Sequence, residues 1–293
     1  MCIQHLKQVM AAPRSRKPVR KKTARRKTRT AAWKWHVLAY GLLIICFAVF
    51  HYRDGIGYFF TDLYERIFKE EGSKEVTVHD FRAIEILDKH NNHLFGFDVS
   101  HYQSDIEWKE IDSLYQKFAI DYVFLRSTMG VDGVDVKFDH NWKKSKSRLL
   151  VRGAYHYYRP DENSTQQAYN FIKNTPLEPG DFFPVLDVEE LPKTQSTEKM
   201  CDGLQNWLDL VEKHYGVKPI IYSGSSFYND HLKNRFPGYR IWIAKYSLFS
   251  EKMNEEWDFW QFTDKGTVNG VETKVDLNIF KGDRYDLKKY VIQ

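Results

Sequence analysis

At 293 residues and 42% apolar content, the chain is long and apolar enough for the packed core of one large domain or two small ones, which excludes an intrinsically disordered protein. Its formal charge of +5 misleads, because Lys7, ten basic residues between Arg14 and Arg29, and Lys34 all precede the first acid, Asp54; without those twelve, the 44 basic residues fall to 32 against 39 acidic ones. The basicity belongs to a tail whose Lys/Arg run is interleaved with Thr, Ala and Pro rather than with base-stacking aromatics, so nucleic acid is not expected as a partner.

That basic tail occupies residues 1–34. An uncharged aliphatic and aromatic run follows at 37–50, with Trp33 and Trp35 before it and Tyr52 after it. Such aromatics sit in headgroup layers and extend the span to about 18 residues, 35–52, close to what a bilayer core demands. The long preceding region, and His51-Tyr52-Arg53-Asp54 where a small-x-small cleavage site would stand, favour an uncleaved anchor over a signal peptide. Clustered cations keep the N-terminus in the cytoplasm, so the chain beyond 52 is expected in the periplasm or at the cell exterior. Of the cysteines, Cys2 falls in the tail, Cys46 in the apolar run and Cys201 in the exported body. One body cysteine builds no disulfide framework, and without a neighbouring His it reads as a buried thiol.

Residues 53–94 are polar and read as a stalk with short helices, the second over about 79–89. Across 95–293 the pattern becomes eight short apolar runs: 95–99, 122–125, 152–157, 182–188, 218–222, 240–244, 257–262 and 274–279. Amphipathic stretches at 108–118, 166–173 and 197–215 separate several of them, and the later gaps are too short for full helices. The predicted fold is α/β: an irregular TIM-like β/α barrel with fewer than eight helices, preceded by one membrane helix. Aromatic residues make up 16% of the chain, 18 of them Tyr, and suit sugar rings as readily as a core.

One apolar run, Phe183-Pro184-Val185-Leu186, leads into Asp187-Val188-Glu189-Glu190. Strand alternation puts Asp187 and Glu189 on one face, roughly 7 Å apart, and turns Glu190 away. Barrels place catalytic groups at the C-terminal ends of strands, and two close carboxylates retain a proton, as a general acid requires. Glu189, with the longer reach, is expected to be the acid/base. Asp98 in Gly96-Phe97-Asp98-Val99-Ser100 and Asp276 in Lys274-Val275-Asp276-Leu277-Asn278 read as ending their runs in the same way. Four such acids make a negative cleft able to stabilise an oxocarbenium-like transition state.

Six ordered segments carry a resemblance: Gly96-Phe97-Asp98-Val99-Ser100-His101-Tyr102-Gln103, Gly153-Ala154-Tyr155-His156-Tyr157-Tyr158, Pro184-Val185-Leu186-Asp187-Val188-Glu189, Ile241-Trp242-Ile243-Ala244-Lys245-Tyr246, Trp260-Gln261-Phe262-Thr263 and Val275-Asp276-Leu277-Asn278-Ile279-Phe280. Together the region resembles glycoside hydrolase family 25. The resemblance implies a flattened β/α barrel that hydrolyses, with retention, the β-1,4 bond between N-acetylmuramic acid and N-acetylglucosamine in peptidoglycan, using no metal or other cofactor. It implies Glu189 as proton donor and Asp98, Asp187 and Asp276 as the other active-site acids, and leaves two alternatives at the anomeric carbon: one of these carboxylates, or the substrate's own N-acetyl group as internal nucleophile with Asp187 orienting it. Arg126, Tyr155, Tyr157, Tyr222, Trp242 and Gln261 fall on positions lining the family's sugar cleft. One departure is visible: Arg126-Ser127-Thr128-Met129-Gly130 stands where the family often reads Lys-Ala-Thr-Glu-Gly, so Met129 replaces an acid. Two rival readings are a metal-dependent carbohydrate deacetylase built on His101, His156 and Asp98, and a wall-binding barrel without turnover.

Overall fold

The computed structural model describes residues 29–68, 77–148, 150–247 and 252–293. Residues 1–28 of the basic tail, Cys2 among them, and residues 69–76 of the expected stalk lie outside the described residues. Packing divides the chain after His51. Of the first unit, the described part is one helix, α1 (Arg29–His51), in which the window Trp33–His51 is long and apolar enough to cross a membrane and is nowhere buried.

The second unit holds α2 (Arg53–Phe68), α3 (Val78–Lys89) and a closed eight-stranded barrel. Its strands are β1 (Leu94–Val99), β2 (Tyr122–Met129), β3 (Val151–Tyr157), β4 (Val185–Asp187), β5 (Ile220–Gly224), β6 (Arg240–Ala244), β7 (Phe259–Gly266) and β8 (Val275–Phe280). Each of the eight apolar runs read from the sequence overlaps one of them. Neighbours from β1 through β7 pair in parallel, while β8 lies antiparallel to both β7 and β1 and closes the ring. Helices α4 (Phe138–Ser145), α5 (Ser164–Asn174) and α6 (Thr197–Tyr215) follow β2, β3 and β4 on the outside.

Period-two alternation sorts each strand between two apolar layers. In β1, Phe95, Phe97 and Val99 join the outer layer under the helices, whereas Leu94 joins the barrel interior and Asp98 lines the mouth. The interior is aromatic, with Tyr122, Phe124, Phe182, Trp242, Phe259 and Phe280 packed together. Glycine makes room for them: a Cβ on Gly153 would come within 2.4 Å of the Phe124 ring, and one on Gly96 within 2.4 Å of the Tyr122 ring.

Two segments differ from their sequence reading. The amphipathic stretch 108–118 forms a single turn (Trp108–Glu110) and a small hairpin pairing Ser113–Leu114 with Phe118–Ala119. Its apolar residues recur at helical spacing, but Tyr115 and Gln116 adopt left-handed φ of 52° and 57° and turn the chain back. The packing of Trp108, Ile111, Leu114 and Phe118 into the outer layer wins over local propensity.

Second, α3 is built into the barrel. Its Ala83, Ile86 and Leu87 belong to the outer core, and Thr77 and Asp80 form a capping box at its start. The buried Asp80 carboxylate also accepts hydrogen bonds from Tyr115 Oη (3.1 Å), Thr267 Oγ1 (3.1 Å) and Lys274 Nζ (3.2 Å). Against the desolvation that would raise it, the Thr77 backbone and hydroxyl and then Lys274 hold its pKa low. Asp80→Ala removes the cap and leaves several donors unpaired, and is expected to lower stability by about 2–4 kcal/mol in denaturant melts. A shift under about 0.5 kcal/mol, the range of an ordinary surface change, would show that Asp80 does not key α3 into the barrel.

Candidate active site

The parallel strands β1 to β7 end at one rim of the barrel. Asp98 is the fifth residue of β1 and Asp187 the last of β4. Asp276 reaches the same rim for a different reason than the sequence reading supposed. It stands at the beginning of β8, and because β8 runs backwards its start faces the ends of the others, with Asp276 opposite Asp98 in the register.

Beyond β4 the chain continues extended. Val188 N donates to Tyr222 O (3.0 Å) and Ser223 Oγ to Val188 O (2.6 Å), so the segment is tied to β5. Alternation therefore persists: Val188 enters the outer core while Asp187 and Glu189 line the mouth cavity. Glu190 turns away and accepts from Tyr157 Oη (2.9 Å).

That cavity has a volume of about 270 Å³. It brings together all ten residues singled out from the sequence: Asp98, Asp187, Glu189, Asp276, Arg126, Tyr155, Tyr157, Tyr222, Trp242 and Gln261. Tyr102, Gln103 and Tyr246 join them, and all three lay inside the quoted segments without being singled out. His156 does not join. It points into the outer layer, stacked on Trp207, with Nδ1 at 2.7 Å from Thr128 Oγ1 and Nε2 at 3.2 Å from Gln167 Oε1. Burial depresses its pKa to about 3. His101 Nδ1 sits beside Asp135 (3.0 Å) and Arg126, so the two histidines do not converge with Asp98 as a deacetylase site would need.

A hydrogen-bond network supports Asp98 from below. Its Oδ2 accepts from Gln261 Nε2 (2.8 Å) and Asn278 Nδ2 (2.7 Å). Asn278 Oδ1 in turn accepts from Trp242 Nε1 (2.9 Å), and Gln261 Oε1 accepts from Tyr222 Oη (2.8 Å) and Tyr246 Oη (2.5 Å). Each amide thus spends its oxygen on aromatic donors and turns its NH2 on the carboxylate. On the opposite side, Arg126 Nε donates to buried Asp135 (3.1 Å) while its guanidinium lies over the Tyr102 ring. Asn278 has no acidic or basic character that the sequence could flag; its role depends on a pairing across 180 residues.

Four carboxyls in one small cavity cannot all ionise. Burial raises Asp98 to about 7, against the two amide bonds, with Glu189 adding repulsion. Burial and then Asp98 raise Asp276 to about 9. Asp187 is raised well above its ordinary value by burial, Glu189 and Asp98, and its Oδ1 is buried with no hydrogen-bond partner. Glu189 stands exposed at the rim, yet enough protein surrounds its carboxyl for desolvation to raise its pKa, with the Tyr222 hydroxyl opposing. A proton shared among these groups near neutrality is what general acid catalysis uses. Asn278→Ala deletes a donor that favours the ionised Asp98, so Asp98 should titrate higher. The acid limb of the pH–rate profile is expected to move to higher pH, with a loss of about 1–3 kcal/mol in stability from the unpaired partners. An unmoved acid limb would exclude Asp98 as the group it reports.

Met129 lines an adjoining groove of about 530 Å³ rather than the acid cavity, with Arg159 Nη2 3.5 Å from its sulfur. The departure in the Arg126–Gly130 segment therefore leaves the four acids untouched.

Residues 97–271 match the model of glycosyl hydrolases family 25. The chain is similar to the uncharacterized protein YegX of Escherichia coli (strain K12), with 37% identity over 202 residues, covering 68% of this chain and 73% of that protein. It is also similar to lysozyme M1 of Streptomyces globisporus, with 29% identity over 213 residues, 64% of this chain and 67% of that one. Among solved structures, a family 25 glycosyl hydrolase from Bacillus anthracis superposes with a TM-score of 0.61 at 31% identity, covering 69% of this chain and 94% of that chain. A bacterial lysozyme from Streptomyces coelicolor superposes with a TM-score of 0.61 at 25% identity, covering 68% and 97%.

Proposed function

From the premise that the chain belongs to glycosyl hydrolase family 25, and is thus a lysozyme-type peptidoglycan hydrolase, we propose that it cleaves the β-1,4 bond between N-acetylmuramic acid and N-acetylglucosamine with retention of configuration. Protonated Glu189 gives its proton to the glycosidic oxygen as the bond to C1 breaks. The carbonyl oxygen of the muramic acid N-acetyl group attacks C1 and forms a cyclic oxazolinium ion. The Glu189 carboxylate then takes a proton from water, whose oxygen attacks C1 and reopens the ring, so two inversions give net retention. Asp187 accepts a hydrogen bond from the acetamido N–H and steers the group toward C1, while the Asp98 carboxylate offsets the positive charge that develops and Asp276, facing it, holds a proton near neutrality.

The observation that carries this reading is the Asp187 Oδ1 atom, a buried acceptor without a partner at the wall of the cavity that also holds Glu189. A native protein leaves such an atom unsatisfied only for a reason, and an acetamido donor supplies one. Mass spectrometry of digested peptidoglycan tests the bond: products should end in reducing N-acetylmuramic acid. Reducing N-acetylglucosamine ends would replace the proposal with a glucosaminidase.

The apolar window Trp33–His51 supports an anchor with the N-terminus in the cytoplasm and the barrel outside, beside its substrate. On this reading the domain organisation is a basic tail, a span near 35–52, a connecting region to 94 and the catalytic barrel from 95.

A further inference from the structure

The α2 helix has two unlike faces. One carries Tyr58, whose hydroxyl donates to Glu85 (2.8 Å), and Asp62, which lies 2.7 Å from His79 Nε2, so this face is docked on α3. Ile56, Phe59, Phe60 and Leu63 recur at helical spacing along another face. There Phe59 is 47%, Phe60 62% and Leu63 42% exposed. An exposed apolar stripe on a helix that is already docked by its polar side needs a second partner.

We propose that this stripe seats on a lipid surface: α2 lies in the outer headgroup layer with Phe59, Phe60 and Leu63 inserted toward the acyl chains. The inference rests on the reading of α1 as an anchor. Only Tyr52 separates the end of the apolar window at His51 from the start of α2 at Arg53. Consecutive Cα atoms are about 3.8 Å apart, so the first turn of α2 cannot leave the interface in which the span ends. A helix confined to that layer satisfies its apolar face with lipid and keeps its polar face for protein. The α2 sequence carries charges of both signs, Arg53 and Arg66 against Asp54, Asp62 and Glu65, so burial of apolar surface drives the seating and added salt leaves it unchanged. Because α2 is bonded to α3, and α3 is keyed into the barrel through Asp80, the seating sets how the cleft is presented to a wall overhead.

The full chain is reconstituted at low protein-to-lipid ratio into phosphatidylethanolamine and phosphatidylglycerol vesicles, and three single-thiol forms carry a pyrene probe. One bears it at Phe60→Cys, one at Thr61→Cys on the side of α2 away from the stripe, and one at native Cys46 within the span; the remaining cysteines are replaced. Lipids brominated along the acyl chain should quench the probe at 60 about twofold, at a depth near the acyl boundary, and leave the probe at 61 unaffected. Quenching at 46 with none at 60 overturns the proposal while the anchor stands. No quenching at 46 instead removes the anchor reading itself. Pyrene excimer emission at 60 without quenching by bromolipid assigns the stripe to a second copy of the chain and equally overturns the proposal. Phe60→Ser together with Leu63→Ser should leave hydrolysis of soluble glycan fragments unchanged and lower the rate on intact sacculi when the enzyme is membrane-bound; an equal rate on both would deny the seating any role in presentation.

Discussion

Glu189→Gln is expected to lower peptidoglycan turnover about 10³-fold, within the 10²–10⁴ range by which a general acid commonly contributes, while binding to the wall stays nearly intact. Gln keeps the size of the side chain and removes the proton that must pass to the leaving oxygen. Glu189 is the rim acid of the cavity, so its replacement leaves the Asp98 network of Gln261 and Asn278 in place. The loss should therefore fall on kcat, with KM little changed. Release of reducing ends from purified walls, set beside a cosedimentation assay, reads both quantities. Wild-type rates in this variant would sink the assignment of Glu189; a parallel loss of wall binding would point to a cleft that had collapsed.

Asp187→Asn should cost activity and improve stability at once. Substrate binding brings the acetamido N–H to Asp187 and favours its ionised form, which gives the oxazolinium route both an acceptor and a charge beside the cation; Asn supplies only the first, so a loss of about 10²-fold is expected in kcat, comparable to removing one electrostatic stabiliser. Stability moves the other way because the folded state holds Asp187 well above its ordinary pKa through burial, then Glu189 and Asp98. Between the unfolded pKa near 4 and the higher folded value, the native chain binds more protons than the unfolded one, so its stability falls as pH rises. The Asn variant lacks that penalty. Its melting temperature should exceed wild type near neutral pH by about 2–4 °C for each kcal/mol regained, and the gap should close as pH falls below about 4, where both chains are neutral at this position. A gap that persists at pH 3, or one of opposite sign at neutrality, would show that Asp187 is not held protonated by its site.

How much of this was legible beforehand depended on the range over which each signal acts. Strand positions were readable, since runs such as Ile241-Trp242-Ile243-Ala244 declare themselves locally, and α6 matched its periodic stretch from Thr197 to Tyr215. The short α4 gave no signal because Phe138 and Trp142 are its only large apolar residues. At 108–118 the spacing suggested a helix, and only the outer core and the Tyr115–Asp80 bond explain the hairpin. The acid pair at 187 and 189 could be read because an apolar strand runs straight into it. Asp276 could be listed but not placed: its access to the rim depends on β8 running backwards, which no window of sequence records. The Arg126–Asp135 and Asn278–Asp98 bonds, likewise, belong to the closed ring and to no segment.

The reversed strand also bears on timing. β1 is the first strand synthesised and β8 the last, yet each is the other's neighbour, and Asp98 draws its hydrogen bonds from residues 261 and 278. A nascent chain that has delivered seven strands still lacks the seam that closes the ring, the Asn278 half of the floor under Asp98 and the fourth acid. The enzyme thus carries its own commissioning step: the catalytic cavity comes into being only once β8 has been added to the other seven strands.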